Sequence, residues 1–312
     1  MSRAALWRQE ENVKERQRQA EESFHLAIEE GRSRNRSAGV LPLVGPDDTF
    51  NLNPMLLHNI SVSPYFYQKC YGKIKDWNAL VDEIYYEVKH LEPWTPGSAK
   101  TPSTAFCLLV RLFTLRCTEK QMQLMLDHVD SPFIRCIGLL YCRYAVDPSI
   151  IFSYMEPYLY DDEAVQICAN RPEGTVGEFV RQLLQSMDYY GTLLPRLPVQ
   201  IEREIKAKLV EAEEIERRAK ANLSDRSKME HFKRVGSAVR SLYGDEENPV
   251  TWYDAVVDRV LSQDDTSGEP LRRPQFVVTF TEYGNTETVS IGEIDLRGGG
   301  GGGGGGTGET DG

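Results

Sequence analysis

Ser131-Pro-Phe-Ile-Arg-Cys-Ile-Gly-Leu-Leu-Tyr-Cys-Arg-Tyr144 decides the fold class of this 312-residue chain. A small polar residue followed by proline opens it. The side-chain oxygen can accept from orphan backbone N–H groups, and proline at the first helical position loses no needed donor. Phe133, Ile137, Leu140 and Tyr144 then recur at helical spacing. The same opening recurs at Asn53-Pro54, Ser63-Pro64, Thr101-Pro102 and Asp147-Pro148. Further helical stripes are Leu80, Ile84, Val88 and Leu91, then Phe106, Leu109, Val110 and Phe113, then Phe179, Leu183, Leu184 and Met187. Thr118 and Gln121 form a capping box ahead of Met122, Met125 and Leu126. With short links between these segments, residues 40–205 read as a compact multi-helix domain.

Outward from this domain the signals weaken. Residues 1–39 hold a charged helix over 5–30 whose Leu6, Val13, Phe24 and Ile28 are too sparse for a full apolar face. Such a helix is expected in solvent or lengthwise on a partner. Gly31–Ser37 follows as a flexible basic joint. Residues 206–270 read as a projecting charged helix and a partly ordered linker with helix-like pieces at Met229–Tyr243 and Trp252–Leu261. The period changes over 271–297, where Gln275–Thr281 and Glu287–Ile294 are strand-like around Tyr283-Gly284-Asn285. Nine glycines, Gly298 to Gly306, begin a flexible tail over 298–312. The predicted fold class is all-α: a compact multi-helix domain with flanking charged helices and a small C-terminal β-hairpin.

The chain carries 36 Lys+Arg against 47 Asp+Glu, a net charge of −11. Residues 40–200 contribute −5, which disfavours a core built to grip a phosphate backbone. No apolar run approaches membrane length, and the polar first 30 residues do not predict secretion. Cys70, Cys107, Cys117, Cys136, Cys142 and Cys168 sit in helical or apolar patterns, as reduced buried thiols do. None forms C-x-x-C, and Asp127, His128 and Asp130 point to different helix faces, so no metal site is expected. No serine occupies a G-x-S-x-G elbow, no cysteine adjoins a histidine, and the glycine run lacks a following Lys-Ser/Thr. The sequence therefore predicts no catalytic residue, cofactor or small-molecule substrate.

Aromatic residues are the richer signal. Tyr85 and Tyr86 are adjacent in a helix and cannot both point inward, and exposed aromatics rimmed by charge are typical protein-binding anchors. Tyr65, Phe66, Trp94 and the acidic turn Asp161, Asp162 and Glu163 are the candidate protein contacts. An RNA-binding accessory protein using its charged terminal segments is the alternative.

Several motifs occur in order: Asn51-Leu-Asn-Pro-Met55, Ser63-Pro-Tyr-Phe66, Val81-Asp-Glu-Ile-Tyr85, Glu92-Pro-Trp94, Ser103-Thr-Ala-Phe-Cys107, Gly138-Leu-Leu-Tyr-Cys-Arg-Tyr144, Thr175-Val-Gly-Glu178 and Leu194-Pro-Arg-Leu-Pro198. Together they resemble the pre-mRNA-splicing factor 38 family, its B-type member more than its A-type, over residues 40–205. The resemblance implies a nuclear, non-enzymatic scaffold of the spliceosome that binds other splicing proteins of the tri-snRNP or pre-catalytic complex. It implies indirect association with U4, U6 and U5 RNAs and a need at activation, when U4/U6 is unwound. Val277-Val-Thr-Phe-Thr-Glu-Tyr-Gly-Asn-Thr-Glu-Thr-Val-Ser-Ile291 looks like the middle strands of a Tudor domain. That likeness implies methyl-arginine contact by Phe280 and Tyr283. The sequence shows no first strands of such a domain and no further cage aromatics.

Overall fold

The structure is a computed structural model describing residues 3–34, 39–97, 101–244, 250–263 and 270–297. The glycine-rich tail 298–312 and the Asn35–Ser37 part of the basic joint lie outside these residues. The chain divides into two compact units, Met1–Ala207 and Lys208–Gly312.

The first unit is helical: α1 (Arg3–Arg34), α2 (Pro54–Ser61), a π-helix (Tyr65–Tyr71), α3 (Trp77–Glu87), α4 (Thr104–Leu115), α5 (Glu119–Leu126), α6 (Pro132–Ala145), α7 (Ile151–Met155) and α8 (Val176–Gln185). Two small hairpins join them, β1 (Ala164–Val165) with β2 (Gly174–Thr175) and β3 (Asp188–Tyr189) with β4 (Thr192–Leu193). Helix α4 is apolar on every side and correspondingly buried from Ala105 to Leu115, with α1, α3, α6 and the π-helix packed around it. Helix α6 is buried from Ile134 to Ala145. Phe113 stacks on Phe50 at 5.1 Å and on Tyr141 at 4.9 Å between ring centroids.

The Ser/Thr/Asn–Pro signals mark helix starts unevenly. Asn53 caps α2 by accepting from the Met55 and Leu56 N–H groups, and the capping box at Thr118 is present. Ser131 begins α6 without a side-chain cap bond, and α4 is capped by Ser103, not by Thr101.

Helix α1 departs from its sequence reading. Ala20, Phe24, Ala27 and Ile28 are buried, and the C-terminal half packs on α4. A Cβ at Gly31 would stand 2.7 Å from the Thr114 carbonyl oxygen, so this close approach requires glycine. The apolar stripe looked sparse because alanine and glycine complete it. Gly31–Arg34 is helical, and Arg32 pairs with Asp47 at 2.9 Å.

The second unit overturns the all-α class. After the end of α9 (Val199–Ser224) and α10 (Arg226–Phe232), five strands form one antiparallel sheet. They are β5 (Ala238–Tyr243), β6 (Thr251–Gln263), β7 (Pro270–Phe280), β8 (Thr286–Ser290) and β9 (Ile294–Leu296), in the order β8-β7-β6-β5-β9. The expected hairpin is thus only two strands of five, and the chain is mixed α and β. Trp252–Leu261 resembled a helix because a bulge breaks its alternation. Val257 pairs with Val278 and Arg259 with Val277, which leaves Asp258 as the extra residue. Inward positions therefore shift from Ala255 and Val257 to Val260, a spacing that imitates one helix face.

Phe232, Val239, Phe276, Val278, Phe280 and Ile294 form the core of this unit. Helix α9 closes it: Asn222 donates to the carbonyl oxygens of Ile291 and Ile294, and Arg218 donates to Gly292. The Arg273 guanidinium from β7 grips both Glu216 oxygens, at 2.6 and 3.1 Å.

Candidate functional site

On the helical unit the candidate residues take different positions. Phe66 is fully buried, 5.5 Å from the Phe24 ring, and serves the core. Tyr65 is half-buried; its hydroxyl donates to Glu83 on α3, burial pushes its pKa up, and the Glu83 charge adds to the rise. Glu83 also holds Lys69 at 2.8 Å, which ties the π-helix to α3. Trp94 is half-buried and bridges to Pro102.

The acidic turn is divided by Arg135 of α6. This buried guanidinium reaches Asp161 at 3.2 Å, bonds Glu163 and donates to the His128 carbonyl at 2.7 Å. Asp161 and Glu163 therefore hold the turn on the helices, and Asp162 is exposed. Tyr85 and Tyr86 are both outward, 47% and 67% exposed, with rings edge to face at 5.1 Å.

All six cysteines are free and buried. Burial pushes Cys107 and Cys117 up to about 12, away from the reactive thiolate. Among the described residues, no three His, Cys, Asp or Glu side chains come together to hold a metal, and no helix is long and apolar enough to cross a membrane.

A second aromatic group stands in the sheet unit. Tyr243 ends β5, Tyr253 lies in β6, Phe280 ends β7, and Tyr283 sits on the turn to β8. Ring centroids are 5.0 Å apart for Tyr243–Phe280, 5.6 Å for Tyr253–Tyr283, 6.1 Å for Tyr243–Tyr253 and 6.5 Å for Tyr243–Tyr283. Gly284 takes φ +71° in the turn, and the Asn285 carbonyl accepts from the Phe280 N–H at 3.0 Å. Asn285 Oδ1 is buried and accepts no hydrogen bond among the described residues. Phe280 and Tyr283 were legible in the sequence. Tyr243 and Tyr253 were not, because Met229–Tyr243 and Trp252–Leu261 read as helix-like pieces.

The sequence model of the PRP38 family matches residues 41–207. Human pre-mRNA-splicing factor 38B (Homo sapiens) is 40% identical over 189 residues, covering 54% of this chain and 34% of that protein. Pre-mRNA splicing factor SR-like 1 of Arabidopsis thaliana is 44% identical over 158 residues, covering 51% and 40%. The chain spans 34% and 40% of the length of these two curated relatives. A chain in the crystal structure of the Snu23-Prp38-MFAP1(217-258) complex of Chaetomium thermophilum is 20% identical with a TM-score of 0.47, covering 55% of this chain and 87% of that one.

Proposed function

The chain belongs to the PRP38 family, and on that footing we propose that its helical unit is a non-enzymatic scaffold of pre-mRNA splicing. It acts in the nucleus by holding other splicing proteins of the tri-snRNP or pre-catalytic complex, and it is needed when U4/U6 is unwound. U4, U6 and U5 RNAs associate through those proteins. The observation that carries this reading is the family match over 41–207, which falls within the compact unit Met1–Ala207. The chemistry of the unit supports it: its cysteines are buried thiols, its buried Arg111 and Arg135 are spent on a carbonyl and a carboxylate, and its exposed Tyr85–Tyr86 pair offers amphipathic anchor area.

Purification of the tagged full chain from nuclear extract at moderate salt, with and without ribonuclease, tests this. Splicing proteins are expected in both samples, and Tyr85→Ala/Tyr86→Ala is expected to reduce their recovery. Recovery abolished by ribonuclease would support direct RNA binding instead and refute the scaffold.

A further inference from the structure

Between Arg217 and Arg240 the charge of the chain reverses: eight Lys+Arg stand against two Asp+Glu, in a chain of net charge −11. This stretch lies beyond the region matched by the family and within the second unit. We propose that it forms, with the cleft at Trp252, a surface for single-stranded RNA, the phosphates lying on its free cations and one base on the Trp252 ring. The proposal concerns the second unit and is tested separately from the scaffold reading of the first.

Three observations carry the assignment. The first is which cations the fold uses and which it leaves. Lys228 is held by Asp295 at 2.7 Å, and Arg218 donates to the Gly292 carbonyl. Arg217, Lys220 and Arg226 are exposed and pair only with carboxylates of their own helices, Glu214 at 2.6 Å, Glu216 at 3.4 Å and Glu230 at 3.1 Å. Exposed pairs of this kind contribute little and exchange readily for another anion. Lys233 and Arg234, exposed on the turn between α10 and β5, and Arg240 in β5 make no ion pair among the described residues. Such cations are free to neutralise phosphates, and the counterions released drive the binding.

The second observation is convergence on one face of the sheet. Arg240 stands opposite Asp254 of β6 and Asp295 of β9 in the register, so the three side chains share a face. Lys228 reaches that face from α10 through Asp295. Arg218 reaches it from α9, its guanidinium 5.4 Å from the centre of the Trp252 ring. Trp252 precedes Asp254 by two residues and therefore lies on the same face, diagonal to Arg240. The helices that carry the exposed cations thus border the strand that carries Arg240.

The third observation is the cleft. Half-buried Trp252 lines an open space of about 520 Å³ together with Arg240, Asp254, Glu282 and Arg297. A flat ring beside an unpaired cation fits a base and its own phosphate, and every base has a π-face to stack. Bases in a duplex are stacked on one another and do not reach the ring, which selects a single strand. Exposed Glu282 on the rim repels acidic side chains, whereas a base brings N–H donors to it beside the phosphate. The cleft therefore favours RNA over an acidic peptide.

The test is fluorescence anisotropy of the full chain with a labelled RNA of about twelve nucleotides. The same RNA as a duplex and a poly-glutamate peptide of equal charge are measured beside it. Three phosphates on Lys233, Arg234 and Arg240 make the affinity fall on the order of 20-fold between about 50 and 200 mM salt. Lys233→Glu/Arg234→Glu is expected to lose about tenfold at the low salt and to flatten the salt dependence. The same charge change on the exposed surface of the helical unit, Lys73→Glu/Lys120→Glu, is expected to stay within about twofold. Both pairs are exposed, so both variants are expected to keep the melting temperature. Trp252→Leu is expected to lose about fivefold or more with the salt dependence kept. No binding at the low salt would overturn the proposal, as would equal affinity for the duplex or for poly-glutamate. Full binding by Lys233→Glu/Arg234→Glu or by Trp252→Leu would overturn it too.

Discussion

The fully buried Arg111 of α4 donates both Nε and Nη2 to the carbonyl oxygen of Ile74, at 3.1 and 2.7 Å. Its Nη1 reaches Thr114, and the Tyr71 ring covers the guanidinium at 5.4 Å. Burial pushes its pKa down to about 10, so the cation is held by carbonyl dipoles and a ring face. Arg111→Met leaves the Ile74 carbonyl buried without a donor and is expected to cost about 1–3 kcal/mol, read as a lower urea midpoint.

Arg135 separates a structural part of the acidic turn from an outward one. Asp161→Ala takes a carboxylate from a buried guanidinium and is expected to destabilise the helical unit by about 1–3 kcal/mol. Asp162→Ala, at an exposed position, is expected to stay within about 0.5 kcal/mol. Thermal melts of the two variants side by side give the contrast.

Gly31 makes the docking of α1 on α4 falsifiable. By helix propensity alone, Gly31→Ala favours the helix by about 1 kcal/mol. Its new methyl meets the Thr114 carbonyl at 2.7 Å, so a net loss of about 1–3 kcal/mol is expected, with earlier proteolytic release of α1. A stabilised variant would mean that this half of α1 is not packed there.

The buried acids set a pH limit. Cys107 and Cys117, raised by burial from 9.0 to about 12, keep their protons in the folded state above the pH at which the unfolded chain loses them. Their contribution is complete below about pH 9 and is lost as pH rises toward 12. Buried Tyr141, Tyr144 and Tyr189 act in the same sense, while Arg111 and Arg143, pushed down to about 10, and Arg116, also lowered by burial, oppose it. The raised thiols and phenols outnumber the three arginines. Denaturant midpoints are therefore expected to fall from pH 9 upward, and iodoacetamide at pH 8 is expected to label the cysteines only after unfolding.

The helical unit was legible because long apolar stripes and caps such as Thr118–Gln121 state a helix locally. Its π-helix was not, since Tyr65–Tyr71 has no distinct residue pattern. The docking of α1 was hidden because Ala20, Ala27 and Gly31 contribute closeness and little hydrophobicity. The sheet was hidden by the bulge at Asp258, which let Trp252–Leu261 imitate a helix, and by pairing partners far apart in sequence. Of the aromatic group on the sheet, Phe280 and Tyr283 lie on one hairpin and could be read together. Tyr243 and Tyr253 join them only through the register that sets Ala255 opposite Phe280. Among the candidate protein contacts, Phe66 shows the limit of composition: an aromatic at the right place in a motif was in fact core.

The scaffold claim is tested most directly in splicing extract depleted of this protein, with assembled complexes resolved on native gels and release of U4 RNA quantified. The account predicts accumulation of a pre-catalytic complex that retains U4, relieved when the purified full chain is added back. Normal U4 release and normal splicing in the depleted extract would contradict it.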